Sequence, residues 1–153
     1  MSSPIFQFEQ DFAGSLRCIP MAVRFKLDHC GIKLSLRQWS RFTREERDQV
    51  LQLPCESADQ IEAYRHTLEE LIQLRSAQPP EHLPIEAQPL WAQGTNVPEQ
   101  VIEFARQVQV SPPNDAQWAA LSPLQRFTLI KLSRAKHDNV NFIPALREFG
   151  LLD

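Results

Sequence analysis

Ser57-Ala58-Asp59-Gln60-Ile61-Glu62-Ala63-Tyr64-Arg65-His66-Thr67-Leu68-Glu69-Glu70-Leu71-Ile72-Gln73-Leu74 is the stretch that decides the fold class. Ile61, Tyr64, Leu68, Leu71, Ile72 and Leu74 follow three-and-four spacing, and Glu62, Arg65, Glu69 and Glu70 fall elsewhere. Ser57 stands where an N-cap should. The spacing predicts an amphipathic helix over about 58–75. Working outward toward the N-terminus, Pro54 separates it from a preceding helix to about Leu53, which Thr43 and Glu46 open as a capping box. Ser35 caps a shorter helix through Trp39 to about Phe42. Another is expected over about 20–29, with Pro20 in its first turn and Gly31 as its C′ residue. Residues 1–16, with Phe6, Phe8 and Phe12, read as an aromatic arm.

Toward the C-terminus, residues 76–97 hold Pro79, Pro80, Pro84 and Pro89 and read as a proline-rich loop. Leu83, Ile85, Leu90 and Trp91 supply apolar anchors for it. Pro98 opens a helix through Val101, Ile102, Phe104, Ala105 and Val108, stopped by Pro112 and Pro113. Asn114 or Asp115 caps a turn with Trp118 and Leu121. Ser122-Pro123 begins the next helix, and His137-Asp138-Asn139 reads as a turn. Asn141 caps a last helix through Phe149, closed by Gly150.

The expectation is an all-α, compact, single domain over 1–153 with six to eight helices and no strand. Composition agrees: four glycines in 153 residues and seven valines against eighteen leucines argue against a sandwich or barrel. No apolar run is long enough to cross a membrane. Met1-Ser2-Ser3-Pro4 has neither the basic nor the apolar region of a secretory leader, so a cytoplasmic protein is expected.

The net charge of −3 is unevenly spread. Residues 1–42 are net +3, residues 43–121 net −8 and residues 122–153 net +2. Nucleic-acid binders carry a stronger basic field, so nucleic acid is not an expected partner. The sequence has no GxSxG, P-loop, GxGxxG or HExxH pattern, and its four histidines lie in no nucleophilic motif. An enzyme is therefore not expected. An unrecognised one would call for a pocket holding Arg17, Asp28 and His137. Cys18, Cys30 and Cys55 form no CxxC pair, and gaps of 11 and 24 residues match no zinc or iron–sulfur signature. A metal- or iron–sulfur-handling protein using Cys18 with Cys30 or Cys55 is the alternative function. No cofactor is assigned.

Two segments do not read as ordinary surface. Leu16–Asp28 mixes large apolar residues with Arg17, Arg24, Lys26 and Asp28 without a clean polar face. Leu124–Leu152 carries Arg126, Lys131 and Arg134 within about two helical turns, followed by His137 and Asn141. One reading is internal pairing and solvated faces. The other is a partner-binding surface of apolar anchors rimmed by cations, formed by Arg17, Cys18, Pro20, Met21, Arg24, Lys26, Asp28, Arg126, Lys131, Arg134 and Asn141.

In the same segments the chain resembles the nitrate-reductase-associated protein family, known mainly from cyanobacteria. The resemblance rests on Phe6-Gln7-Phe8-Glu9 with Phe12, Leu16-Arg17-Cys18-Ile19-Pro20-Met21, Lys26-Leu27-Asp28, Gly31-Ile32-Lys33-Leu34 and Trp39. Near the other end it rests on Leu124-Gln125-Arg126-Phe127, Lys131-Leu132-Ser133-Arg134, Asn141-Phe142-Ile143-Pro144-Ala145-Leu146 and Glu148-Phe149-Gly150-Leu151. It implies a non-catalytic accessory or maturation factor needed for the activity of ferredoxin-dependent assimilatory nitrate reductase, acting by protein–protein binding. The implied partner is the reductase itself, which carries a molybdenum–pterin cofactor and an iron–sulfur cluster. The resemblance transfers no catalytic residue.

Overall fold

The computed structural model describes residues 4–134 and 138–153. It is mostly helical, with nine α-helices among the described residues and one two-stranded antiparallel pairing. The chain divides into two compact units, Met1–Ile85 and Glu86–Asp153.

The first unit begins with a 3₁₀ turn at Gln7–Glu9 and α1 (Gln10–Ala13). Then come α2 (Met21–Cys30), β1 (Ile32–Lys33), α3 (Leu36–Arg41), α4 (Arg44–Gln52), α5 (Ala58–Ser76) and β2 (Glu81–His82). Capping boxes start three of these helices: Ser35 with Gln38, Thr43 with Glu46, and Ser57 with Gln60. In each box the N-cap hydroxyl accepts from a first-turn N–H that has no partner within the helix. α5 packs against α2 and α3 and buries Tyr64, Leu68, Leu71 and Ile72. Full burial of a Leu or Ile side chain contributes roughly 1.5–3 kcal/mol. Leu74 departs from the expected face and is 68% exposed. It lies two positions past Ile72, which turns it away from the 61-64-68-72 stripe. Around this helix, Val23, Cys30, Ile32, Trp39, Phe42 and Val50 complete the core.

The strand pairing was not expected. Ile32 faces His82 and Lys33 faces Glu81. Gly31 makes it feasible. It ends α2 in the left-handed conformation, at φ +68°, and its carbonyl accepts from Leu83 N–H at 2.8 Å. A Cβ there would stand 2.7 Å from the Leu83 carbonyl oxygen, so only glycine fits without a shift. Residues 76–97, read above as one loop, thus hold β2 and a 3₁₀ turn at Leu90–Ala92.

The second unit holds that turn, α6 (Glu99–Gln107), α7 (Asp115–Ala120), α8 (Pro123–Arg134), a 3₁₀ turn at Asp138–Asn141, and α9 (Phe142–Glu148). α8 is its centre, packing on α6, α9 and both 3₁₀ turns. Trp118, Phe127, Leu129, Leu132, Phe142 and Leu146 are buried. Phe104 meets Phe142 edge-on at 4.9 Å. Asn114 caps α7 with Gln117 as expected, and Ser122 pairs with Gln125 at the start of α8. Asn141 does not cap α9. Its backbone is already helical (φ −87°, ψ −3°), because the 3₁₀ turn runs straight into α9, and its side chain makes no cap bond. His137, expected in a turn, lies outside the described residues.

Candidate partner-binding surfaces

α2 is a hub, and that explains its mixed sequence. At its N-terminus, the buried Glu9 reaches over from the preceding 3₁₀ turn, and its Oε1 accepts from Met21 N–H at 3.1 Å. A carboxylate at that end also meets the positive end of the helix dipole. Arg24 donates through Nε to the Ile19 carbonyl at 3.2 Å. Lys26 donates through Nζ to the carbonyls of Leu51 (2.6 Å) and Leu53 (2.7 Å), which end α4. Burial lowers the Lys26 ammonium below its ordinary range, against the opposing pull of Cys55 and Glu56. Arg24 and Lys26 are half-buried, and Pro20 and Met21 are buried. Of the first segment's candidates, only Arg17 and Asp28 are exposed, with Cys18 half-buried.

Just before α2 the chain turns sharply. Leu16 sits at φ +64°, a left-handed conformation that is costly for a non-glycine residue, of order 1–3 kcal/mol. Its surroundings over-determine it. Its side chain is buried, and its N–H donates to the Ala13 carbonyl at 2.9 Å. Its carbonyl accepts from the Trp39 indole N–H at 2.8 Å and from an Arg47 guanidinium N–H at 3.0 Å. Arg44 donates to the neighbouring Ser15 carbonyl at 2.8 Å. Sequence reading missed Arg44 and Arg47. They lie three apart on α4, on one face of that helix, but their targets are about thirty residues away in the chain.

In the second unit the three basic candidates on α8 have different fates. Arg126, expected at a surface, is 7% exposed. Its Nε donates to the Trp91 carbonyl at 2.8 Å, and one terminal nitrogen donates to the carbonyls of Leu121 (2.7 Å) and Trp118 (3.3 Å). It therefore closes the C-terminal end of α7 and fastens the Leu90–Ala92 turn to α8. A buried charge satisfied in this way holds structure together instead of meeting a partner. Lys131 is half-buried, with its ammonium 5.6 Å from the Phe127 ring centroid. Arg134 is exposed and donates to Gln100 Oε1 at 3.2 Å, and Asn141 is half-buried. The two segments fall in different units.

The thiols give the metal-handling alternative no support. All three cysteines are free. Cys30 and Cys55 are buried, and each directs its sulfur at a backbone carbonyl, of Leu27 and Lys26 respectively. Burial raises Cys30 to about 11 and Cys55 to about 12, which disfavours the thiolate that binds metal. Among the described residues no group of three or more His, Cys, Asp or Glu side chains converges as a metal site. The first unit also holds an open cleft of about 520 Å³ beside α5, lined by apolar residues such as Cys30, Ile61 and Ile85 and by polar ones such as Arg65, His66 and Glu69. Neither Arg17 nor Asp28 lines it.

A helical protein of two small units, whose prominent cations mostly close helix ends and turns, is the class that fold and surface define. The family model for the conserved nitrate reductase-associated protein matches residues 5–149, and the chain belongs to that family. No curated protein and no solved structure matches the chain. The family takes its name from association with nitrate reductase. No helix among the described residues is long and apolar enough to cross a membrane.

Proposed function

We propose that this chain is a non-catalytic accessory or maturation factor for ferredoxin-dependent assimilatory nitrate reductase, acting in the cytoplasm by binding the reductase. The observation that carries this reading is the family match over residues 5–149. The surface is compatible with it. Arg17 and Asp28 on the first unit and Arg134 on the second are exposed. The buried residues of the two resembling segments, such as Met21 and Arg126, act indirectly in this reading by holding those surfaces in shape.

Co-purification of the tagged chain with reductase tests this, using the reductase in cofactor-free and cofactor-loaded forms. Binding to the cofactor-free form alone marks a maturation chaperone. Equal or tighter binding to the loaded form marks an accessory subunit. Binding to neither overturns the proposal.

A further inference from the structure

We infer that the face formed by Arg17, Arg44 and Arg47 around the Ser15–Leu16 turn receives a carboxylate-rich segment of the partner protein. This deepens the accessory-factor reading and rests on it for the partner's identity.

Two guanidinium groups are anchored at one turn, and an exposed third arginine follows it directly in the chain. Arg44 and Arg47 are held on neighbouring carbonyls, and Arg17 is the next residue along the chain. Consecutive Cα atoms are about 3.8 Å apart, so the two anchored charges lie within about one Debye length of each other. Among the described residues none of the three forms an ion pair, whereas the exposed Arg75 is matched by both oxygens of Glu46. Arg17 and Arg44 are exposed. Each anchored arginine spends one terminal nitrogen on the turn. Arg47 Nε is buried and has no hydrogen-bond partner. A guanidinium has five N–H donors arranged to fit a carboxylate with two parallel bonds; Arg47 Nε lies out of a ligand's reach, while the exposed Arg44 spends one terminal nitrogen on the turn and keeps its other donors for a ligand. The strained Leu16 turn fixes where the donors stand, which lowers the ordering cost of receiving a ligand.

The flanking residues select the ligand. Glu45 and Asp48, each next to one of the anchored arginines, are exposed. They would repel a continuous polyanion while leaving room for discrete carboxylates between them. The net charge of −3 acts against nucleic acid in the same sense.

The test is calorimetric titration of the full chain with purified reductase and, separately, with a peptide of four glutamates alternating with glycines. The variants are Arg17→Glu and Arg44→Gln, with Arg147→Glu on α9 as a charge control. Arg44→Gln removes a turn contact, so thermal unfolding is measured alongside. Arg17→Glu breaks no side-chain hydrogen bond or ion pair among the described residues and keeps the test decisive if Arg44→Gln is unstable. The expected result is about tenfold weaker binding of both ligands for Arg17→Glu, near-unchanged binding for Arg147→Glu, and loss of affinity as salt rises from about 50 to 200 mM. If the reductase binds and Arg17→Glu leaves its affinity unchanged, the acidic-segment inference falls while the accessory reading stands. If the reductase does not bind at all, the accessory reading falls. The arginine face then stands only if the peptide binds and Arg17→Glu abolishes it. Tighter binding of a DNA duplex than of the peptide also overturns the inference.

Discussion

Lys26 and Arg126 show how a cation can be drawn off the surface. Lys26 ends on the carbonyls of Leu51 and Leu53, 25 and 27 residues away, and Arg126 on that of Trp91, 35 residues away, as well as on the nearer Trp118 and Leu121. Sequence shows the charge but not the carbonyl it meets, because the two are brought together only by packing. That is why basic residues in the two unusual segments read equally well as a partner surface. The cysteines carry a sharper consequence. Cys30 and Cys55 are raised to about 11 and about 12 from the ordinary 9.0. Above pH 9 the unfolded chain loses these protons before the folded one does. The folded state then binds more protons, and stability falls as pH rises through that window. Lys26, lowered by burial, acts in the opposite sense as pH approaches its unfolded value. Urea midpoints measured between pH 8 and about 11 should fall for the wild type and fall less for Cys30→Ala/Cys55→Ala. A parallel decline in both proteins would mean that the thiols are not the cause.

Among the elements, the helices were largely legible and the strands were not. Ser35, Thr43, Ser57 and Asn114 announced helix starts because a cap and its partner lie three residues apart, within reach of local reading. Gly31 likewise announced the end of α2. The pairing of β1 with β2 joins residues about fifty apart and spans only two residues on each side, too short for any alternation to register. Asn141 misled because a polar residue before an apolar run resembles a cap even when the preceding turn is already helical. The two left-handed glycines separate backbone strain from close approach. Gly31 has both, whereas Gly150, at φ +78°, has nothing within 4 Å of a built Cβ. Gly150→Ala should cost only about 1 kcal/mol, the left-handed backbone penalty. Gly31→Ala should cost at least about twice that, since it must also displace Leu83. Equal shifts in denaturant midpoint for the two variants would show that the Leu83 contact yields freely.

On the scale of the whole chain, the division at Ile85 and Glu86 falls inside the proline-rich stretch that the sequence marked as distinct. The sequence reads that stretch as a lid, a docking arm or a linker, and the single-domain expectation over 1–153 places no boundary there. A stretch of prolines with apolar anchors reads the same whether it wraps one core or passes between two. Residues 81–88 are all exposed. Limited proteolysis should therefore cut first in that segment, leaving two fragments that meet near residue 85 and resist further digestion. Early cuts within α5 or α8 would contradict that expectation. The arginine face belongs to the first unit and the exposed Arg134 to the second. Separated fragments would thus show which unit carries the affinity for the reductase.

Trp39 offers a spectroscopic handle on these questions. It is the first unit's one tryptophan, fully buried, and its indole N–H is tied to the same Leu16 carbonyl that Arg47 holds. With Trp91 and Trp118 replaced by phenylalanine, all indole emission would come from the floor of the arginine turn. A ligand that draws Arg47 away from that carbonyl would change the hydrogen bonding of the fluorophore itself. Occupancy of the face would then be readable as a change in emission, without any attached label.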